Sequence, residues 1–357
     1  MNLNRDLIVK FRNKMNEPCI LRIFRDRDGR AEWNVICSAM DWIETAVEGI
    51  DTDTLSRDNS SAASIRVIMF ISCVDILWRG ICQLHRVFVG RNSIPFESDD
   101  SIFRAHRPDN VQFESIRAIF AAHPVDLRNV FGGGKDERWF ASWSGGTFSH
   151  QDFGVFLYSN KPGVPSRPFD IRFKDVYRFA ETRYEYLNDL MDAAELHVEK
   201  YIENLRAIPI EAEKDDVLSW INMLIEENHR RWDFDVTKYD LEMARDAFLT
   251  IPRSEQNKQV LDQYRDALLP HLQLIHSSLQ SMERDPEMIE VKGDYPERLM
   301  HPMEKLFTAD DDDPIFRYGV DAAQEYLDGI VDLNIQENVK EIQVMARAGL
   351  WMKENKQ

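Results

Sequence analysis

Apolar residues recur at three- and four-residue intervals through most of this chain and alternate one by one only in short stretches, so helices should dominate. Trp33, Ile36, Met40, Ile43 and Val47 form the first clear helical stripe, closed by Gly49. After a polar connection at 51–61, residues 62–89 read as a long, heavily apolar helix ended by Gly90, with Ile65, Ile68, Leu77, Trp78, Ile81 and Leu84 along it. A helix so apolar belongs at the centre of a bundle. Val111, Phe113, Ile116, Ile119 and Phe120 give residues 110–123 a buried side, and Pro124 bars a further turn. One long helix is predicted over 174–205. Ahead of all these, 7–15 supplies one or two helical turns, while 19–24 is β-like and closed by the turn-rich 25–29.

The texture changes after the third helix. Gly132 to Gly134 and Gly145-Gly146 bracket short β-like runs at 139–143, 153–158 and 169–173, which predicts a small extended insertion at about 130–173. The triple glycine followed by Lys135 lacks the spacing and the Ser/Thr of a phosphate-binding GxxxxGK[ST] loop. Beyond Ile208 and Pro209 the pattern is helical again, over 215–232, 240–249, 254–284 with Pro270 as a kink or break, 295–307 and 319–353. The expected fold is mainly α: a small N-terminal piece (1–32), a helical bundle with its insertion (33–205) and a second α-helical domain (206–357).

Charge sharpens that division. The chain of 357 residues carries a formal net charge of −18. Residues 1–205 hold 26 basic against 30 acidic side chains, and 206–357 hold 18 against 32, so the acidity belongs to the C-terminal part. Residues 1–30 run the other way, with eight basic and four acidic side chains. This balance argues against a dedicated nucleic-acid wrapper but leaves room for a local phosphate-binding surface in the first part. No apolar run approaches the ~18 residues of a membrane span, and the N-terminus has no signal-type apolar core. Four scattered cysteines without a CxxC pair fit reduced thiols in a cytoplasm.

Little of the remaining chemistry points to a metal or a cofactor. Asp310 to Asp313 lack the spacing and the glycine of an EF-hand loop, and Glu226 with His229 is a single Glu-x-x-His where a di-iron bundle needs two. No metal site and no cofactor are expected. Two features stand out instead. Asp75 and Arg79 lie four apart on the most apolar helix, where they either pair with each other or face a polar pocket. Arg117 lies inside the third helix and His123 at its end, fixed there by Pro124.

Arg117 and His123, separated by five residues behind a long helix that carries Asp75, resemble the arginine-to-histidine signature of the HEPN superfamily. The texture of 113–124, with 33–43 upstream, also looks like bacterial proteins of HEPN-like type, and the likeness covers residues 33–205. The resemblance implies a bundle that dimerises through the motif helix, here 110–123. In catalytic members it implies a metal-independent endoribonuclease of toxin or phage-defence type that leaves a 2′,3′-cyclic phosphate. His123 would be the general acid or base and Arg117 would stabilise the phosphate in the transition state, with Asp75 and Arg79 supporting them. Six residues along a helix mean about 9 Å of rise and about 120° of rotation, so the two side chains do not converge unless the length of the arginine or a second subunit closes the gap. The superfamily also has members that only bind partners. The alternative reading is therefore a non-catalytic helical adaptor, with the acidic C-terminal domain offered to a protein partner.

Overall fold

A computed structural model describes residues 1–55, 60–128, 136–142, 151–211, 216–232, 235–283, 295–308, 314–334, 336 and 338–355. The chain is mainly helical, with one small antiparallel sheet, and divides into two compact units, Met1–Tyr201 and Ile202–Gln357. Gly132 to Gly134, Gly145-Gly146 and Asp310 to Asp313 lie outside the described residues.

The first unit is built on α3 (Glu32–Gly49) and α4 (Ser61–Phe88). Ser60 starts α4 by accepting the Ala63 amide on its hydroxyl, and one face of the helix is then dry from Val67 to Leu84. The two helices approach closely because Gly80 has no side chain: a Cβ there would come within 2.6 Å of Ile43. By length and apolarity α4 would also pass for a membrane span, but core helices pass the same test, and half of the qualifying stretch is buried against its own unit.

Around this pair pack α1 (Arg5–Met15), α2 (Pro18–Arg25), α5 (Asp109–Arg117), α6 (Phe173–Glu185) and α7 (Leu187–Arg206). Residues 19–24 are thus helical and not the strand that their local texture predicts. Pro18 sits in the first turn, and Cys19, Ile20 and Phe24 are buried together, with Phe24 edge-on to Phe88 at 5.2 Å. Tertiary burial overrides the β propensity of Ile and Phe here. The helix predicted over 174–205 is interrupted at Tyr186, whose hydroxyl meets Nδ1 of the buried His85 at 2.9 Å. Strands β1 (Leu127–Arg128), β2 (Arg138–Ser142), β3 (Phe153–Ser159) and β4 (Arg167–Ile171) form an antiparallel meander in that order. Phe153, Val155 and Leu157 are buried on one face of β3, and Phe120 packs on Phe153 and Phe169, so the sheet is seated on the end of the α5 region.

A buried arginine ties the long 89–108 loop to this frame. Arg183 of α6 is fully buried, with its guanidinium 3.3 Å from Asp99, 3.2 Å from the Asn110 side-chain oxygen, and over the rings of Phe179 and Phe96. Burial pulls the guanidinium's pKa down, an effect that Asp99 and Asp109 only partly offset. At Asp99 burial acts upward, but hydrogen bonds from Ser101 and the charge of Arg183 outweigh it and hold the carboxyl below its usual range.

The second unit contains α8 (Val217–Arg231), α9 (Asp235–Leu249), α10 (Glu255–Ser281), α11 (Met300–Thr308), α12 (Pro314–Tyr326) and α13 (Val339–Asn355), around a core that includes Ile221, Leu224, Leu261, Tyr264, Val320 and Leu350. Pro270 lies inside α10 without ending it. The single helix predicted over 319–353 is two, because 327–334 turns at Gly329 (φ 75°) and is clamped by buried Asn257, which exchanges two hydrogen bonds with the Asp332 backbone. Arg231, also buried, donates to the carbonyls of Leu205 and Ile208 at 2.8 Å each.

Two stability measurements check this frame. Arg183→Ala should cost about 3 kcal/mol, measured by urea unfolding, because it strips a buried pair and its ring contacts; a loss within ~0.5 kcal/mol would mean that the loop does not depend on it. Burial lowers the pKa of His85 from the ordinary 6.5. The unfolded chain therefore binds the proton more readily, and stability that is full above about pH 6.5 should fall as the pH drops toward the lowered folded value. His271 in the second unit is shifted the same way, so the urea midpoint at pH 7.5 and 5.5 is compared between wild type and His85→Gln. The variant should lose less.

Candidate functional site

The rotation of α4 decides where its two charged residues go. With Val74, Leu77, Trp78 and Ile81 turned into the core, Asp75 and Arg79 reach the rim of the α4–α5 contact. There Asp75, 15% exposed, forms an ion pair with Arg117, Nε lying 2.6 Å from its carboxylate, and accepts a hydrogen bond from Arg79 Nε at 3.3 Å. Arg79 also approaches Glu114 at 3.6 Å. Of the two readings of the Asp75–Arg79 spacing the structure shows the intrahelical pair, and the carboxylate also reaches across to Arg117 on α5. Glu114 was not singled out in the sequence, although its place three residues before Arg117 on the same helix is the signal that finds it.

His123 is placed differently. After Arg117 the helix widens into a π-helical turn, Ala118–Ala122, which His123 closes with its amide on the Ala118 carbonyl at 3.0 Å. Its backbone leaves the helix (φ −141°, ψ 41°) ahead of Pro124, as the proline requires. The Pro124 carbonyl then accepts the Ala141 amide, anchoring the helix end to β2. The imidazole is exposed and makes no hydrogen bond or ion pair among the described residues. Asp75, Arg79 and Arg117 are brought together; His123 is not joined to them within one chain.

Two recesses flank the ionic cluster. One, of about 430 Å³, is lined by Arg79, Glu114, Trp78, Cys82 and Asn110 among others. Burial pushes the Cys82 thiol up to about 12, so it is a neutral wall group and not a nucleophile. The other is an open, mainly apolar groove of about 610 Å³ between α3 and α4, bordered by Trp42, Val35 and Ile76, with Asp75 and Arg79 at its edge. Trp42 is 55% exposed there.

Elsewhere in the chain, Glu226 and His229 are both exposed on α8. Among the described residues no group of three or more His, Cys, Asp or Glu side chains is placed to hold a metal ion. No protein-family model, curated protein or solved structure matches this chain.

The ionic cluster itself can be tested. Asp75→Asn removes a partly exposed carboxylate from two arginines, and urea unfolding should show a loss of about 1 kcal/mol. Combining it with Arg117→Ala should then add almost nothing, since both changes break the same pair; strictly additive losses would show that the pair is not formed in solution.

Proposed function

We propose that residues 1–201 form a HEPN-like unit that cleaves RNA without a metal ion, and that two copies of the chain complete the site. The observation that carries this reading is the Asp75–Arg117–Arg79 cluster, set at the rim of the bundle one π-helical turn from an exposed histidine whose imidazole has no partner among the described residues. Asp75 holds the Arg117 guanidinium through Nε and leaves its other donors free for the non-bridging oxygens of a phosphodiester. π-Helical turns occur often at functional sites, and this one separates the arginine from the histidine.

The chemistry follows from these groups. A base takes the proton of the 2′-hydroxyl, and the freed oxygen attacks the adjacent phosphorus. The bond to the 5′-oxygen breaks, and an acid protonates that oxygen, leaving a 2′,3′-cyclic phosphate and a 5′-hydroxyl. His123 serves as acid or base, since an imidazole nitrogen can take up or give a proton. Arg117 and Arg79 balance the charge that gathers on the phosphate oxygens. Since His123 stands apart from this cluster in one chain, the imidazole acting on a given phosphate comes from a second copy, docked across residues 110–123.

A second reading is favoured by the apolar groove beside Asp75 and Arg79, where Trp42 lies exposed. A surface of that kind suits a helical adaptor that engages a protein and performs no chemistry.

Labelled RNA incubated with the purified protein in EDTA decides between them. Cleavage by the wild type, reduced about 100-fold or more by His123→Ala and by Arg117→Ala, supports the nuclease. Cleavage absent from the wild type, or unchanged in His123→Ala, supports the adaptor.

A further inference from the structure

A second pocket, of about 540 Å³, opens on the other side of α5. Gln112 and Ile116 line it, whereas Glu114 and Arg117 face the ionic cluster; on a helix these two pairs point about 150° apart. The pocket is therefore separate from the site described above.

Its lining is cationic in an acidic protein. Arg104 comes from the 89–108 loop, and Arg172, Lys174 and Arg178 come from the start of α6. All four are exposed, and none makes an ion pair or a side-chain hydrogen bond among the described residues. Among the described residues of the lining the carboxylates are Asp170 and Asp175, with Asp152 next to it on the Phe173 amide, so the four cations still outnumber the acidic groups around them. Lys174 and Arg178 are one helical turn apart and repel each other, which the fold itself does not need. Three further features converge on the same space. The Asp152 carboxylate takes the Phe173 amide at the start of α6, at 3.0 Å, while the next amide, that of Lys174, has no partner among the described residues. Gln112 has its oxygen engaged by Arg107 at 2.7 Å, which leaves its amide hydrogens to donate. Arg104 has a left-handed backbone (φ 51°), a conformation that side-chain-bearing residues rarely adopt. It is held because the carboxylate of buried Asp109 takes the amides of both Ile102 and Phe103 at 2.9 Å.

We infer that this pocket binds a phosphate-bearing ligand, with Arg172, Lys174 and Arg178 around the phosphate oxygens and Arg104 facing them from the loop. Several guanidinium forks with a lysine match the tetrahedral, multiply charged phosphate better than a single carboxylate. The volume suits a small phosphorylated molecule, and it equally admits a short stretch of an RNA backbone, which presents the same chemistry.

Inorganic tripolyphosphate titrated into the full chain by calorimetry tests this. The wild type should bind, Lys174→Gln with Arg178→Gln should weaken binding at least tenfold, and Lys174→Arg should retain it. The unliganded double variant should melt at the same temperature as the wild type or higher, because a repulsion has been removed, and this separates lost binding from lost folding. Arg117→Ala, on the opposite face, reports separately on any tripolyphosphate held at the ionic cluster. A single-stranded RNA oligomer that displaces tripolyphosphate identifies a nucleic-acid backbone as the ligand, and one that leaves it bound identifies a small phosphorylated molecule. No binding by the wild type at millimolar tripolyphosphate, equal binding by the double variant, or a loss confined to Arg117→Ala would each overturn the assignment.

Discussion

The first unit depends on keeping one face of α4 dry. Val67, Ile71, Val74, Leu77, Ile81 and Leu84 are all at 0% exposure, and burying each contributes about 1.5–3 kcal/mol, so together they are worth on the order of 10 kcal/mol. A surface ion pair contributes roughly 0–1 kcal/mol. Burial therefore sets the rotation of the helix, and the charged residues take whatever position that rotation leaves them. Asp75 lands at the rim of the α5 contact for this reason, and Arg117 completes a pair whose carboxylate the core has already placed.

The protein uses one side chain in three ways, and access to water separates them. Arg183 is fully enclosed and ordered by rings and a carboxylate, so it acts as a structural pin for the loop above it. Arg117 is half-buried and already paired, which aligns its fork while leaving part of it open. Arg104, Arg172 and Arg178 are exposed and make no ion pair among the described residues, which leaves their charge available to the proposed phosphate ligand. The loop links the first and third uses: Arg183 and Asp109 hold from below the segment that carries Arg104. Loosening the pin should disturb the pocket before it disturbs the α4–α5 cluster.

The π-helical turn at Ala118–Ala122 divides the arginine from the histidine. Asp75 anchors Arg117, whereas His123 rides on a helix end tied to the sheet through Pro124 and Ala141. In the proposed reaction both groups reach one phosphate across the boundary between two copies, while a binding surface needs no such step.

Much of this was legible in the sequence, where apolar periodicity speaks directly. The stripe from Trp33 to Val47, the long apolar helix and the histidine stopped by Pro124 all follow from spacing and from the stereochemistry of proline. So do the Asp75–Arg79 pair and the short strands between 138 and 171, which needed only local patterns. The tertiary structure alone decided the rest, because those features depend on partners distant in the chain. Residues 19–24 became a helix to set Phe24 against Phe88, and the 174–205 helix broke at Tyr186, beside His85. The pairing of Asp75 with Arg117 rests on how α4 and α5 are turned against each other. The cationic pocket joins residues from 104 to 178, of which only the Lys174–Arg178 spacing left a mark in the sequence. A single chain's pattern tells which face of a helix avoids water, but which charges then meet is settled by the packing of those faces.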